Sequence, residues 1–232
     1  MTIRHKAVKA TLDRGYASEW NDDHHLDPTD ELMHVDVFFE NAITNKWDTT
    51  QTTSGTAATI DIADNHVFLR LQATGGAGAV CTIRHKVLNV SNDIFHPDDL
   101  PVLTVSVQLV PVLPAGPSQE WGFQNNGAAP FQLNMEGAYF RVDNNVLYAI
   151  TSDGVAETIT NLGAPDEYGV YRVEFTSTSV KFYVDSLVTP AATHTTNLPA
   201  NRTNVKLTSR QFGVTTTELR SDFVGLQWLR KR

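Results

Sequence analysis

The chain has 232 residues, 41% hydrophobic and 19% charged, which is apolar enough for a sizeable core and argues against a disordered chain. Its 18 Lys and Arg against 26 Asp and Glu leave a formal charge of −8, and no basic stripe is available to neutralise phosphates, so nucleic acid is excluded as the expected partner. No apolar run approaches the roughly 18 residues of a membrane span, and Met1–Lys6 lacks a secretory apolar region; the expectation is a protein made in a cytoplasm, with no membrane insertion.

In chain order, His5 to Asp30 is polar and rich in Asp and His, with no sustained apolar period. It reads as an extended arm, with a short helix around 17–22 capped by Ser18 or Asp13. An arm of this composition cannot bury itself and must lie on another surface. From Val35 the pattern changes to strands. Thr56–Ile62 and Val67–Ala73 alternate apolar with polar, as strands with one wet face do. Ala79–Val87, Leu103–Leu109, Gly122–Gln124, Phe131–Met135 and Ala138–Val142 follow as candidate strands. Val146–Thr151, Glu157–Asn161, Val170–Thr176, Ser179–Val184, Val205–Ser209 and Ser221–Leu229 complete the set. Turn signals such as Asp143-Asn144-Asn145 and Ser152-Asp153-Gly154 separate them. Three prolines in Val110–Pro117 prevent ladder donation and predict a crossing between sheets. The fold class is therefore all-β, a two-sheet antiparallel sandwich with an extended N-terminal arm, divided as 1–34 and 35–232. Cys81, the only cysteine, sits in an apolar run and reads as a buried hydrophobe. Arg230-Lys231-Arg232 reads as a solvated tail.

Tyr171-Arg172-Val173-Glu174-Phe175, a tight turn, then Val180-Lys181-Phe182-Tyr183-Val184-Asp185 resembles the back-sheet hairpin of the concanavalin A-like jelly roll shared by lectins, laminin-G domains and family-16 glucanases. Ser186 stands where that family usually has Gly. His194–Pro199 is similar to its return segment, Ser221–Trp228 to its closing strand, and Phe39–Trp47 to its opening one. The resemblance implies fold far more than activity, because this scaffold hosts lectins, hydrolases and inert modules. Separately, His5-Lys6-Ala7 with Gly15–His24 resembles the opening of structural proteins of tailed viruses, where it precedes unrelated C-terminal domains. That resemblance makes His5, Tyr16, Trp20, Asn21, Asp22 and His24 the candidate attachment residues. Trp20 and Tyr16 are aromatics with polar edges, suited to anchoring on a partner.

A family-16 glucanase carries alternating carboxylates, E-x-D-x-(x)-E, on one strand of its concave sheet, so that both point into one cleft as acid and nucleophile. The nearest text, His34–Glu40, lacks the first Glu and lies on the opening strand. Glu120 and Glu136, near the expected cleft strands, form no paired pattern. No nucleophile elbow, P-loop or cysteine metal motif is present, and Gly75-Gly76-Ala77-Gly78 precedes no helix and reads as a hairpin loop. His24 and His25 among Asp22, Asp23 and Asp27 concentrate metal-type ligands, yet adjacent residues of an extended segment point apart. Asp143, Asn144 and Asn145, or Asp93, Asp98 and Asp99, supply oxygen atoms without the spacing of a calcium loop. No metal and no cofactor is expected. Trp121, Gln124, Asn125 and Asn126, with Phe123 beside them, form a candidate carbohydrate-binding set of aromatic face and amides. The competing reading, which the alternation favours, turns Trp121 and Phe123 into the core and makes Gln124–Gly127 a turn.

The leading expectation is a non-enzymatic virion structural protein, a capsid decoration, turret or tail-fibre subunit. It would be a homo-oligomer docked on other virion proteins through the arm. The alternative is a carbohydrate-binding module recognising a host surface glycan; a weaker one is a glycan hydrolase.

Overall fold

The computed structural model describes residues 31–37, 47–48, 58–63, 68–73, 78–86, 93–110, 117–125, 131–211 and 216–229. The attachment residues His5, Tyr16, Trp20, Asn21, Asp22 and His24, the expected helix at 17–22, and Asn126 lie outside them.

The strands run β1 (Glu31–Val37), β2 (Trp47–Asp48), β3 (Ala58–Ala63), β4 (Phe68–Ala73), β5 (Val80–His85), β6 (Val102–Val110), β7 (Pro117–Gln124) and β8 (Gly137–Asp143). They continue as β9 (Val146–Ser152), β10 (Glu157–Gly163), β11 (Tyr168–Phe175), β12 (Val180–Val184), β13 (Ala192–His194), β14 (Asn204–Arg210), β15 (Thr217–Ser221) and β16 (Phe223–Leu229). One sheet has nine strands, ordered β13-β12-β11-β6-β15-β4-β3, with β16 also on β6 and β1 on β16. The other has seven, ordered β10-β9-β8-β7-β14-β5-β2. Among the described residues every named pairing is antiparallel and the one helical element is a 3-10 turn, Pro97–Asp99. This is the expected two-sheet sandwich. The proline-rich segment joins β6 of one sheet to β7 of the other, a crossing between sheets.

Three boundaries differ from the sequence reading, each for a backbone reason. β1 begins at Glu31, inside the segment assigned to the arm, because Glu31–His34 pair in register with Leu229–Leu226 of β16. The closing strand, expected from Ser221, begins at Phe223, and Ser221 ends a separate strand, β15; between them the amides of Asp222 and Phe223 donate to Ser106 Oγ at 3.2 and 3.1 Å, which breaks the ladder there. Phe131–Met135, expected as a strand, is a chain of turns with left-handed φ at Phe131 (60°) and Asn134 (55°). Its amides go to side-chain carboxylates, so no ladder can form.

Alternation divides the two faces. Trp121 and Phe123 of β7, Phe140 and Val142 of β8, and Val205 and Leu207 of β14 point between the sheets. They meet Tyr171, Val173 and Phe175 of β11, Phe182 of β12, and Leu103 and Val105 of β6. Trp121 stacks on Phe140 at 5.7 Å and meets Tyr171 edge-on at 4.8 Å. Burying such aromatics contributes on the order of 2–3 kcal/mol each. Cys81 is fully buried in the same core, as expected. Asn144 and Asn145 both take left-handed φ, forming a two-residue hairpin turn between β8 and β9.

Candidate functional site

With the apolar residues turned inward, the outer face of the seven-stranded sheet carries the chemistry. Cross-strand register aligns Asn161, Tyr148, Arg141, Glu120, Thr208 and Thr82 in one row. The adjacent row is Ile159, Ile150, Tyr139, Gly122, Lys206 and Arg84. A third holds Glu157, Ser152, Gly137, Gln124 and Asn204. At the β9–β10 end the face is open and partly apolar: Tyr148 is half-buried and Ile159 exposed, with Asn161 and Glu157 beside them. Toward the middle it is buried.

At the centre, Arg141 Nε donates to Glu120 Oε1 at 2.6 Å, with the Glu120 side chain fully buried and Arg141 nearly so. Glu120 also accepts the Phe131 amide at 3.0 Å and Gln124 Nε2 at 3.3 Å. Burial pushes the Glu120 carboxyl up from the ordinary carboxylate range, while Arg141, the Phe131 amide and Gln124 oppose that shift. Burial works against the Arg141 charge in turn, and Glu120, Tyr139 and Glu157 together more than offset it. Arg141 Nη2 reaches the Tyr139 hydroxyl at 3.4 Å, and that hydroxyl donates to Glu157 Oε1 at 3.5 Å. Burial holds the Tyr139 phenol protonated well above its usual value, against the pull of Arg141 and with the help of Glu120 and Glu157. Glu120 and Glu157 thus share one network, bridged by a guanidinium and a phenol.

A strap, residues 131–136, crosses this network. Its Phe131 amide binds Glu120, its Gln132 carbonyl accepts from Arg141 Nη2, and its Asn134 amide donates to Glu157 at 2.7 Å. Met135 packs beneath it with Tyr139 and Ile150.

Lys206 lies one row over, 2% exposed, its Nζ donating to the Asn125 carbonyl. Burial brings its pKa down to about 8; Arg84 adds to the depression, and Asp93 and Glu120 oppose it. On the opposite side of the sheet, His194 bridges the two sheets through Thr151 and Thr160, each at 2.9 Å.

Several sequence-predicted site residues fall elsewhere. Trp121 is not a sugar platform: it is fully buried between the sheets, because alternation on β7 turns it inward with Phe123. Gln124 does face outward but is buried, with its Nε2 donating to Glu120 at 3.3 Å. The Asn125 amide donates to the Glu136 carbonyl at 2.9 Å. Glu136 does not face Glu120; it clamps the 200–201 loop, accepting the Ala200 and Asn201 amides at 2.9 and 2.7 Å. No group of three or more metal-ligating side chains occurs among the described residues. The outward positions of β7 are Glu120, Gly122 and Gln124, and those of β8 are Gly137, Tyr139, Arg141 and Asp143, so neither strand carries alternating carboxylates. Sequence reading missed Tyr139, Arg141, Tyr148, Glu157 and Lys206. The polar alternation of β8 and β9 was a weak signal for them, but which strands lie side by side is not written locally.

The two sheets define the class: a concanavalin A-like jelly roll. No family model matches the chain and no curated protein matches its sequence. Among solved structures, a Bacillus licheniformis β-glucanase superposes with a TM-score of 0.58 at 16% identity, covering 86% of this chain and 98% of that one. A structure from work on endo-acting O-glycanases of the human gut microbiota gives 0.56 at 15%, covering 85% and 99%. The VIP36 exoplasmic/lumenal domain, bound to Ca2+ and Man3GlcNAc, gives 0.59 at 11%, covering 90% and 92%. At these identities the likeness establishes the fold. It also corrects one expectation: the chain was read as no enzyme, yet the structures it resembles include several β-glucanases and one from work on endo-acting O-glycanases, so that exclusion falls. The likeness lends nothing to a virion structural role.

Proposed function

We propose that this protein recognises a glycan on the outer face of its seven-stranded sheet. The observation that carries the reading is the open end of that face, where Tyr148 and Ile159 offer an apolar surface flanked by Asn161 and Glu157. Sugars stack their C–H faces on such surfaces and direct hydroxyls to amides and carboxylates at the rim. The glucanases and the glycan-bound VIP36 domain of the same fold support it. Tyr148→Ala is expected to weaken retention on immobilised polysaccharide (laminarin, mixed-linkage β-glucan and polygalacturonate) about tenfold, or roughly 1.4 kcal/mol. Unchanged retention, or no retention of the parent protein on any of the three, refutes the proposal.

A second reading, hydrolysis, is favoured by Glu120 and Glu157 sharing one network. In this reading Glu120, raised by burial, is protonated and acts as the acid with Glu157 as the base, which makes it the alternative to a charged Glu120–Arg141 pair. β7 and β10 stand three strands apart, about 14 Å between backbones, so the Glu120 and Glu157 carboxyls are spaced more widely than the roughly 5–5.5 Å of a retaining pair and the inverting arrangement is the one available. Glu157→Gln is expected to abolish reducing-end release from whichever of the three polysaccharides is cut, and the initial product should show inverted anomeric configuration by NMR. A retained configuration, or activity surviving in the variant, removes this pair as the machinery.

The location of the protein rests on the arm motif alone, and we propose on that ground that the arm mounts this module on a virus particle as a homo-oligomer. Because β1 begins at Glu31, deletion of residues 1–30 is expected to leave a folded sandwich that no longer joins the particle. Normal incorporation of the truncated chain sinks the arm's role.

A further inference from the structure

We propose that residues 131–135 of the strap form an autoinhibitory lid, which lifts to admit a glycan to Glu120, Tyr139, Arg141 and Glu157; this rests on the glycan reading above. The outer face of the seven-stranded sheet carries no second sheet, and such a face is normally wet. Here Glu120 and Tyr139 are nevertheless fully buried and Arg141 is 7% exposed. The described segment that crosses them is the strap. Its Phe131 and Asn134 amides occupy acceptor sites on Glu120 and Glu157, and its Gln132 carbonyl occupies a donor of Arg141. Sugar hydroxyls bind to carboxylates and guanidinium groups through those same sites. The closed strap therefore stands where a ligand would.

The strap is lightly held. Gln132, Leu133 and Asn134 are exposed, and Met135 is its one fully buried apolar side chain. Phe131 is half-buried, with the Arg210 guanidinium 5.5 Å from its ring centre. Phe131 and Asn134 hold left-handed φ of 60° and 55°. A bulky side chain such as Phe disfavours that region, so closure carries backbone strain that lifting releases. A segment with few buried apolar contacts and exposed backbone opens before the strands beneath it. Its C-terminal hinge is fixed, because Glu136 is clamped to the 200–201 loop. A closed majority lowers the apparent affinity for a glycan by the fraction of molecules that are open.

The test changes the balance at Asn134 in the full chain. Asn134 meets Glu157 through its backbone amide, so a substitution there leaves the side chains of the network intact. Valine is poorly tolerated at φ 55° and should open the strap, whereas glycine is at ease there and should leave it closed. Opening is read on Arg141 by phenylglyoxal modification, mapped by mass spectrometry. Asn134→Val is expected to react about tenfold faster than the parent, and Asn134→Gly at the parent's rate. Equal rates in parent and Asn134→Val, with the valine variant folded, overturn the lid. The parent gives a second reading that needs no variant. Its 131–135 amides are expected to exchange hydrogen at least about tenfold faster than those of Trp121 and Phe140, with little dependence on denaturant. Strap and strands exchanging together at one rate overturn the lid as well. On laminarin, mixed-linkage β-glucan and polygalacturonate, Asn134→Val is expected to bind about tenfold more tightly than the parent to whichever is retained. Equal or weaker binding overturns autoinhibition and leaves glycan recognition standing. Failure of parent and variant to bind any of the three overturns the glycan reading and with it the lid's role, while Arg141 reactivity and hydrogen exchange still decide whether the strap opens.

Discussion

Replacing Glu120 with Gln is expected to cost about 3–5 kcal/mol of stability, the penalty of leaving a buried cation without its counter-charge. Arg141 is the cation, with a side-chain exposure of 9% against 0% for Glu120. The two Glu120 oxygens serve three donors, Arg141 Nε, the Phe131 amide and Gln124 Nε2. Glutamine has one acceptor oxygen and an NH2, so at least one donor is left facing another donor. The strap is anchored to the same carboxylate, and its loosening adds to the loss. Removing both charges in Glu120→Met/Arg141→Leu is expected to recover much of the stability, because the desolvation of both ions disappears with them. Denaturant unfolding of the parent, the single and the double variant closes the cycle. A single-variant cost under about 1 kcal/mol would mean that the Glu120 carboxyl is neutral in the folded protein and that no ion pair exists to break.

Lys206 gives the second large effect, and its sign is fixed by linkage. The folded protein gives up the Lys206 proton near pH 8, whereas an unfolded lysine holds its proton to about 10.5. Between those values the unfolded chain binds more protons, so stability rises with pH. From pH 7 to 10 the gain attributable to Lys206 is about 2–3 kcal/mol. The groups that set it are Arg84, which depresses the pKa, and Asp93 and Glu120, which oppose that. Burial holds the Tyr139 and Tyr171 phenols protonated, so their contribution runs the other way above pH 10. The measurement is therefore the difference between parent and Lys206→Met across pH 7–10. Lys206→Met is expected to be the more stable protein at pH 7, with the advantage shrinking as pH rises. A difference that stays flat across that range would mean that the Lys206 ammonium is solvated or neutralised in the folded state.

The alternation of Thr56–Ile62 and Val67–Ala73 was enough to predict strands with one wet face, because a period of two is a local property of the chain. The hairpin from Tyr171 to Asp185 was legible through its resemblance to the back-sheet hairpin of the jelly roll, and the structure sets its register, with Tyr171 opposite Val184 and Phe175 opposite Val180. Trp121 was already ambiguous on sequence, and local alternation favoured the core, where it lies. The site was a different matter. Glu120, Arg141, Tyr139 and Glu157 come from three strands; turn signals join β8 to β9 and β9 to β10, but nothing local says which outward side chains of β7, β8 and β10 reach one another. Likewise Lys206 and Arg84 are 122 positions apart and meet only because β14 inserts between β7 and β5. Composition, strand period and turn chemistry act between neighbours in the chain and decided the sandwich. Burial, ion pairing and the opposition of two cations act across space, so only the tertiary structure decided which charges share a face.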